Sequence, residues 1–135
     1  MNYITLKGVV DNKSIEKKCS RLIMGTASFY QFDDKKQAFT IMDQYVQAGG
    51  NMFDSAHQYI NSEEILGEWA ESRGIRKDIY ILTKGAHPDD PEPGPRLNPK
   101  MINKDVKESL ARLRTDYIDF YALHRDDLSV EVGPI

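Results

Sequence analysis

The chain has 135 residues, 40% hydrophobic and 29% charged, with a formal net charge of −3. That composition is expected of a soluble globular chain of about one domain, not a disordered one, and its acidic balance argues against a general nucleic-acid binder. No apolar run approaches the ~18 residues of a membrane span. The N-terminus lacks the basic-then-apolar pattern of a signal peptide, and Cys19 stands alone, so a reduced, cytoplasmic setting without internal disulfides is expected.

Tyr3–Val10 alternates moderately and Ile15–Cys19 follows a turn-like Asp11-Asn12-Lys13, which predicts a β-hairpin in residues 1–20. Leu22-Ile23-Met24, stopped by Gly25-Thr26, reads as a short buried strand. Asp33 or Asp34 supplies a side-chain acceptor for the start of a helix. Within it Ala38, Ile41, Met42, Tyr45 and Val46 share one face, and Gly49-Gly50 ends it. Asn51–Asp54 is the next strand. Asn61 or Ser62 caps a second helix whose buried face is Ile65, Leu66, Trp69 and Ala70, with Glu63 and Glu64 placed well against its N-terminal dipole. Arg73-Gly74 stops it. Ile79–Thr83 is rich in β-branched and aromatic residues and reads as a third strand. Asn98-Pro99 opens a third helix, with a face of Ile102, Val106, Leu110 and Leu113. Tyr117–Leu123 is the fourth strand.

Strands that alternate with single helices imply a parallel sheet with right-handed crossovers. Four such βα units are half of a (β/α)8 barrel, which takes ~250 residues. The expected architecture is therefore α/β. It is a single partial TIM-barrel domain over residues 1–135, with a hairpin in 1–20 and βα units 1–4 in 21–135, Gly133-Pro134-Ile135 reading as the first turn of helix four. The long loop Gly85–Leu97, with prolines at 88, 91, 93 and 95, leaves the carboxyl end of strand three. It is either a functional loop or a stiff connector.

Polar residues close the strands where function collects in parallel folds. Asp54, Lys84 and His124 end strands, and Tyr59 follows Asp54 by one short loop. Singly, each has a bland reading: a loop cap, an ordinary half-buried tyrosine, a solvated lysine, a packed histidine. Together each meets a need of another. Free tyrosine, with a pKa of about 10, is a poor acid–base catalyst at neutral pH, and a nearby ammonium favours the phenolate. A buried ammonium needs a counter-ion, which Asp54 supplies. A neutral histidine can orient a substrate oxygen. The set suits proton delivery to a carbonyl oxygen while hydride arrives from elsewhere.

Four ordered motifs resemble the aldo-keto reductase family. Met24-Gly25-Thr26 is similar to the family's first-strand ending. Phe53-Asp54-Ser55-Ala56, Tyr59 and Ser62-Glu63-Glu64-Ile65-Leu66-Gly67 resemble its signature, with Ser55 where threonine is usual. Leu82-Thr83-Lys84-Gly85 resembles the strand of the catalytic lysine. Ser109-Leu110, Leu113 to Asp119 and Leu123-His124 resemble the segment of the catalytic histidine. The resemblance covers the N-terminal half of the family's barrel. It implies a tetrad in which Tyr59 is the general acid, Lys84 paired with Asp54 assists it, and His124 orients the carbonyl. It implies NADPH, with NADH the alternative, as hydride donor to an aldehyde or ketone. Gly25, Thr26 and Asp54 would lie near the nicotinamide end, while most of the cofactor grip belongs to the second half of the family's barrel.

A small carbonyl substrate is the expected ligand, with no nucleic acid and no membrane among the partners. A second copy of the chain or a complementing C-terminal half is the expected protein partner. One alternative is a non-catalytic half-barrel or interaction module. Another is a metal-dependent barrel hydrolase using His57, His87, His124, Asp54 and Asp126, although a metal explains neither Tyr59 nor Lys84.

Overall fold

A computed structural model describes residues 1–10, 12–32, 34–88 and 96–131. The chain opens with an antiparallel hairpin of β1 (Tyr3–Val10) and β2 (Lys13–Ser20), paired from Tyr3↔Ser20 to Val10↔Lys13. Then follow β3 (Met24–Gly25), α1 (Lys35–Gln47), β4 (Met52–Asp54), α2 (Ser62–Arg73), β5 (Tyr80–Gly85), α3 (Pro99–Arg112) and β6 (Phe120–Leu123). The last four strands form one sheet in the order β3-β4-β5-β6, every pair parallel. Sequential parallel strands joined through helices are successive units of a (β/α)8 barrel. The expected α/β half-barrel is therefore what the described residues build.

Register sorts the side chains between two faces. Met24, Phe53 and Ile81 are neighbours across β3, β4 and β5, and Gly25, Asp54 and Leu82 are neighbours one residue on, pointing the other way. The first set joins the core between sheet and helices, with Ala38, Met42 and Tyr45 of α1, Leu66, Trp69 and Ala70 of α2, and Leu113. Phe53 is central: its ring meets Tyr45 edge-on at 5.3 Å and Trp69 at 5.3 Å. Truncating such a residue to alanine costs about 3–5 kcal/mol.

The helix ends follow from local chemistry. Asp34 accepts the backbone N–H of Lys36 at the start of α1, and Asn98 accepts that of Met101, with Pro99 at the first turn of α3. Gly74 ends α2 in the left-handed region at φ 66°. The hairpin packs at the amino end of the sheet. Lys17 Nζ lies 2.6 Å from Asp119 Oδ1, a carboxylate only 2% exposed, and 5.0 Å from the Tyr80 ring centre. The carboxyl ends of the strands are thus left to the site. Among the described residues no helix is long and apolar enough to cross a membrane.

Several expectations need correction. Leu22 and Ile23 are 63% and 46% exposed, because β3 pairs only through Met24 and Gly25 and, among the described residues, has a neighbour on one side. Neither Asn61 nor Ser62 caps α2 with its side chain: Asn61 takes a left-handed φ of 53°, and Ser62 Oγ donates instead to the Thr26 carbonyl at 2.8 Å. Ile41 is exposed on α1. In α3 the fully buried positions are Asp105 and Ser109, while Ile102, Val106 and Leu110 are only half-buried. A polar cluster, not an apolar stripe, seats that helix on β5. Asp11, Asp33, the prolines at 91, 93 and 95, and Gly133-Pro134-Ile135 lie outside the described residues.

Candidate active site

The parallel register carries three of the four tetrad residues to one place. Asp54 is the last residue of β4 and sits opposite Leu82, so Lys84, two residues further along β5, projects from the same face. Lys84 sits opposite Ala122, and His124 follows two residues later. The His124 N–H donates to the Gly85 carbonyl at 2.8 Å, which ties the two strand ends together. Tyr59 arrives by a tight turn in which its N–H donates to the Ala56 carbonyl at 3.0 Å and its own carbonyl accepts from Ser62 at 3.2 Å.

An ammonium has three N–H donors, and Lys84 has three oxygens around it. Nζ lies 2.8 Å from Asp54 Oδ1, 2.7 Å from the Ser55 carbonyl and 3.4 Å from the Tyr59 hydroxyl. The Lys84 and Asp54 side chains are 17% and 30% exposed, so the pair is partly withdrawn from water at the mouth of the sheet. Because Lys84 donates to the Tyr59 oxygen, the phenolic hydrogen is left to point at a ligand. The Tyr59 ring meets His124 edge-on, with centroids 5.7 Å apart and planes at 83°. Burial pushes His124 below the ordinary histidine range. The positive charges of His87, Lys84 and Arg125 push the same way, against the weaker pull of Asp54. Its Nδ1 is buried without a hydrogen-bond partner among the described residues.

Gly25 and Thr26 flank Asp54. Gly25 is exposed, and nothing lies within 4 Å of the place its Cβ would take. Thr26 is enclosed. Its hydroxyl donates toward the Asp54 carbonyl at 3.1 Å and Ser55 Oγ at 3.0 Å, and its N–H donates to the Asp54 carbonyl at 2.9 Å. Ser55 therefore retains a hydroxyl partner in this lock.

The histidines and carboxylates considered for a metal do not gather as one group among the described residues. His57 instead lies 2.7 Å from Glu108, and with Asp105 these form the one converging cluster of such ligands there. Asp105 is already engaged, accepting from the Ala86 N–H at 2.7 Å and from Arg96 at 2.6 Å. The sequence offers His87 only as a ligand in that metal alternative. Here its ring lies against His124, centroids 4.6 Å apart at 78°. A histidine just past the strand-end lysine was the available signal.

Residues 21–133 match the model of the Aldo/keto reductase family. An aldo-keto reductase of Strobilurus tenacellus is 37% identical over 108 residues, covering 77% of this chain and 30% of that protein. Norsolorinic acid reductase of Emericella nidulans is 38% identical over 111 residues, covering 75% of this chain and 28% of that protein. Aryl-alcohol dehydrogenase [NADP(+)] of Phanerodontia chrysosporium is 36% identical over 114 residues, covering 76% and 30%. The chain thus spans less than a third of the length of these curated relatives. A solved Pseudomonas aeruginosa structure assigned to the aldo-keto reductases superposes with a TM-score of 0.72 at 30% identity, covering 83% of this chain and 44% of that one.

Proposed function

The chain belongs to the aldo/keto reductase family, and from that premise we propose that it carries the proton-donating part of an NAD(P)H-dependent carbonyl reductase. The observation that supports this most directly is the ammonium of Lys84 spread over Asp54, Ser55 and the Tyr59 hydroxyl.

The residues present fit the nicotinamide end of the cofactor. Gly25 leaves an open, exposed surface beside Asp54, where any larger side chain would fill the space. Thr26 supports that surface from behind by holding the Asp54–Ser55 backbone. A bound NADPH, or NADH in its place, would supply hydride to the carbonyl carbon.

The chain's own groups handle the oxygen. His124, kept neutral by its surroundings, presents Nε2 to the carbonyl, since Nδ1 is enclosed. That contact fixes the oxygen within reach of the Tyr59 hydroxyl. Tyr59 gives up its proton as negative charge develops on the oxygen. The Lys84 ammonium, 3.4 Å away, stabilises the phenolate left behind. Asp54 holds Lys84 in place and balances its charge when the site is at rest.

One relative is named an aryl-alcohol dehydrogenase [NADP(+)], so aromatic aldehydes with NADPH are the first substrates to test, with NADH in parallel. In the chain completed with a C-terminal barrel half, aldehyde-dependent oxidation of the nicotinamide should fall by about 10²–10⁴-fold in Tyr59→Phe, with cofactor affinity retained. Unchanged turnover in that variant refutes the reading. A second reading, an interaction module, draws on the single-sided pairing of β3 and β6 among the described residues. It predicts no turnover in any form of the protein.

A further inference from the structure

Immediately after Lys84 the backbone does something unusual. Gly85 ends β5, and Ala86 takes a left-handed φ of 58°. That region costs a non-glycine residue roughly 1–2 kcal/mol and persists where the surroundings over-determine it. Here they do. Ala86 is buried, and its N–H donates to Asp105 Oδ2 at 2.7 Å. Asp105 is in turn paired with Arg96 at 2.6 Å, the two side chains being 1% and 2% exposed. On the other side of His87 stands Pro88, which pushes the residue before it toward extended backbone. His87 is thus fixed from both flanks.

What this turn achieves is an approach of two imidazoles. His87 comes from the end of β5 and His124 from the end of β6, and the His124 N–H bond to the Gly85 carbonyl holds those ends at 2.8 Å. The His87 ring stands at 78° to His124 with centroids 4.6 Å apart, within the range of edge-to-face aromatic pairs. Tyr59 meets His124 at 5.7 Å. His124 therefore meets both the tyrosine and a second histidine.

We propose that His87 is a positioning residue for His124, fixing the plane of its ring toward Tyr59. This role rests on the carbonyl-reductase reading of the site and extends it by one residue. Among the described residues the charged and titratable groups around His124 are Lys84 and His87 from β5 and its exit, Asp54 from β4, Tyr59 from the following loop and Arg125 beyond β6. Of the groups that disfavour the His124 cation, His87 alone also meets its ring edge-to-face.

The test is proton NMR titration of the histidine ring resonances in the soluble chain. In the wild type, Overhauser contacts should connect the His87 and His124 rings, with the His124 midpoint below that of an exposed histidine. In His87→Ala the His124 midpoint should move to higher pH, and its ring protons should lose the shift caused by the neighbouring ring. His87→Phe keeps a ring and removes the ionisable group, so the midpoint should rise while the ring shift remains. In whichever form of the protein reduces aldehydes, His87→Ala should lower kcat and leave cofactor affinity unchanged, with His87→Phe restoring part of it. A His124 titration and ring shift identical in the wild type and His87→Ala overturn the proposal. So does loss of the ring shift in a folded His87→Phe chain. The NMR readings need no turnover, so failure of the Tyr59→Phe assay is distinguishable from failure here.

Discussion

Lys84 and Asp54, on neighbouring parallel strands, meet at 2.8 Å at the carboxyl end of the sheet. The contact follows from register, because Lys84 lies two residues beyond Leu82, the partner of Asp54. Lys84→Met would leave Asp54 without its cation and the Ser55 carbonyl without a donor. Stability should fall by about 1–3 kcal/mol. A double-mutant cycle with Asp54→Asn, read by urea unfolding, should give a coupling of roughly 0.5–3 kcal/mol. Strictly additive effects would show that the pair is not coupled.

At Gly67 helix propensity and packing oppose each other. It lies inside α2, where alanine is ordinarily preferred over glycine by ~1 kcal/mol. A Cβ there would stand 2.5 Å from the Arg112 carbonyl oxygen and 2.6 Å from the Leu113 backbone. Backbone cannot swing aside as a side chain can, so packing wins. Gly67→Ala should destabilise by about 1–3 kcal/mol, measured as a lower midpoint of thermal or urea unfolding. A stabilised variant would mean that α2 and α3 do not approach this closely.

Asp43 links α1 to α2. It accepts Trp69 Nε1 at 2.8 Å and the Arg73 guanidinium at 3.0 and 2.8 Å. The Arg73 bonds are the main cause holding its carboxyl below the usual range. A depressed acid stabilises the fold above its unfolded pKa, about 3.9, and that contribution is lost as pH falls through the lower folded value. Asp43→Ala orphans the N–H of the fully buried Trp69 and should cost about 1–3 kcal/mol at neutral pH. The gap between wild type and variant should narrow below about pH 4. A gap that widens with acid would contradict this sign.

β3 and β6 each have one strand neighbour among the described residues, and Leu22, Ile23 and Leu123 are exposed beside them. Unpaired strand edges template association with other chains. The 135-residue chain, purified alone, should therefore sediment as a dimer or larger assembly rather than at 15.4 kDa. A monomer that melts cooperatively and binds no hydrophobic dye would defeat the expectation.

The convergence of Asp54, Lys84 and His124 was legible because strand ends are punctuated in the sequence: each closes an apolar run, and register then carries them to one end of the sheet. Helix capping by Asn98, and by Asp34 as one of two adjacent candidates, was legible for the same local reason. What could not be read depends on contacts distant in sequence. The burial of Asp105 and Ser109 on α3 reflects partners supplied by the turn after β5, including the Ala86 N–H and Arg96. The buried carboxylate of Asp119 serves Lys17 and Arg76, over a hundred and about forty residues away respectively. The approach of His87 to His124 needs a left-handed alanine, which no propensity argument predicts.

Under the proposed function Tyr59 is the proton donor, and the cofactor contacts proposed within this chain, Gly25, Thr26 and Asp54, are those at the nicotinamide end. Remote binding energy normally positions the reactive end of a ligand, so the 135-residue chain alone should oxidise NADPH with an aromatic aldehyde weakly or not at all. The deciding measurement is that same turnover after the chain is completed with the C-terminal barrel half of a relative, as one polypeptide or as two fragments. The expected result is activity in the completed form and its loss by about 10²–10⁴-fold in completed Tyr59→Phe. Robust turnover by the 135-residue chain alone, or full activity in the completed Tyr59→Phe protein, would contradict it.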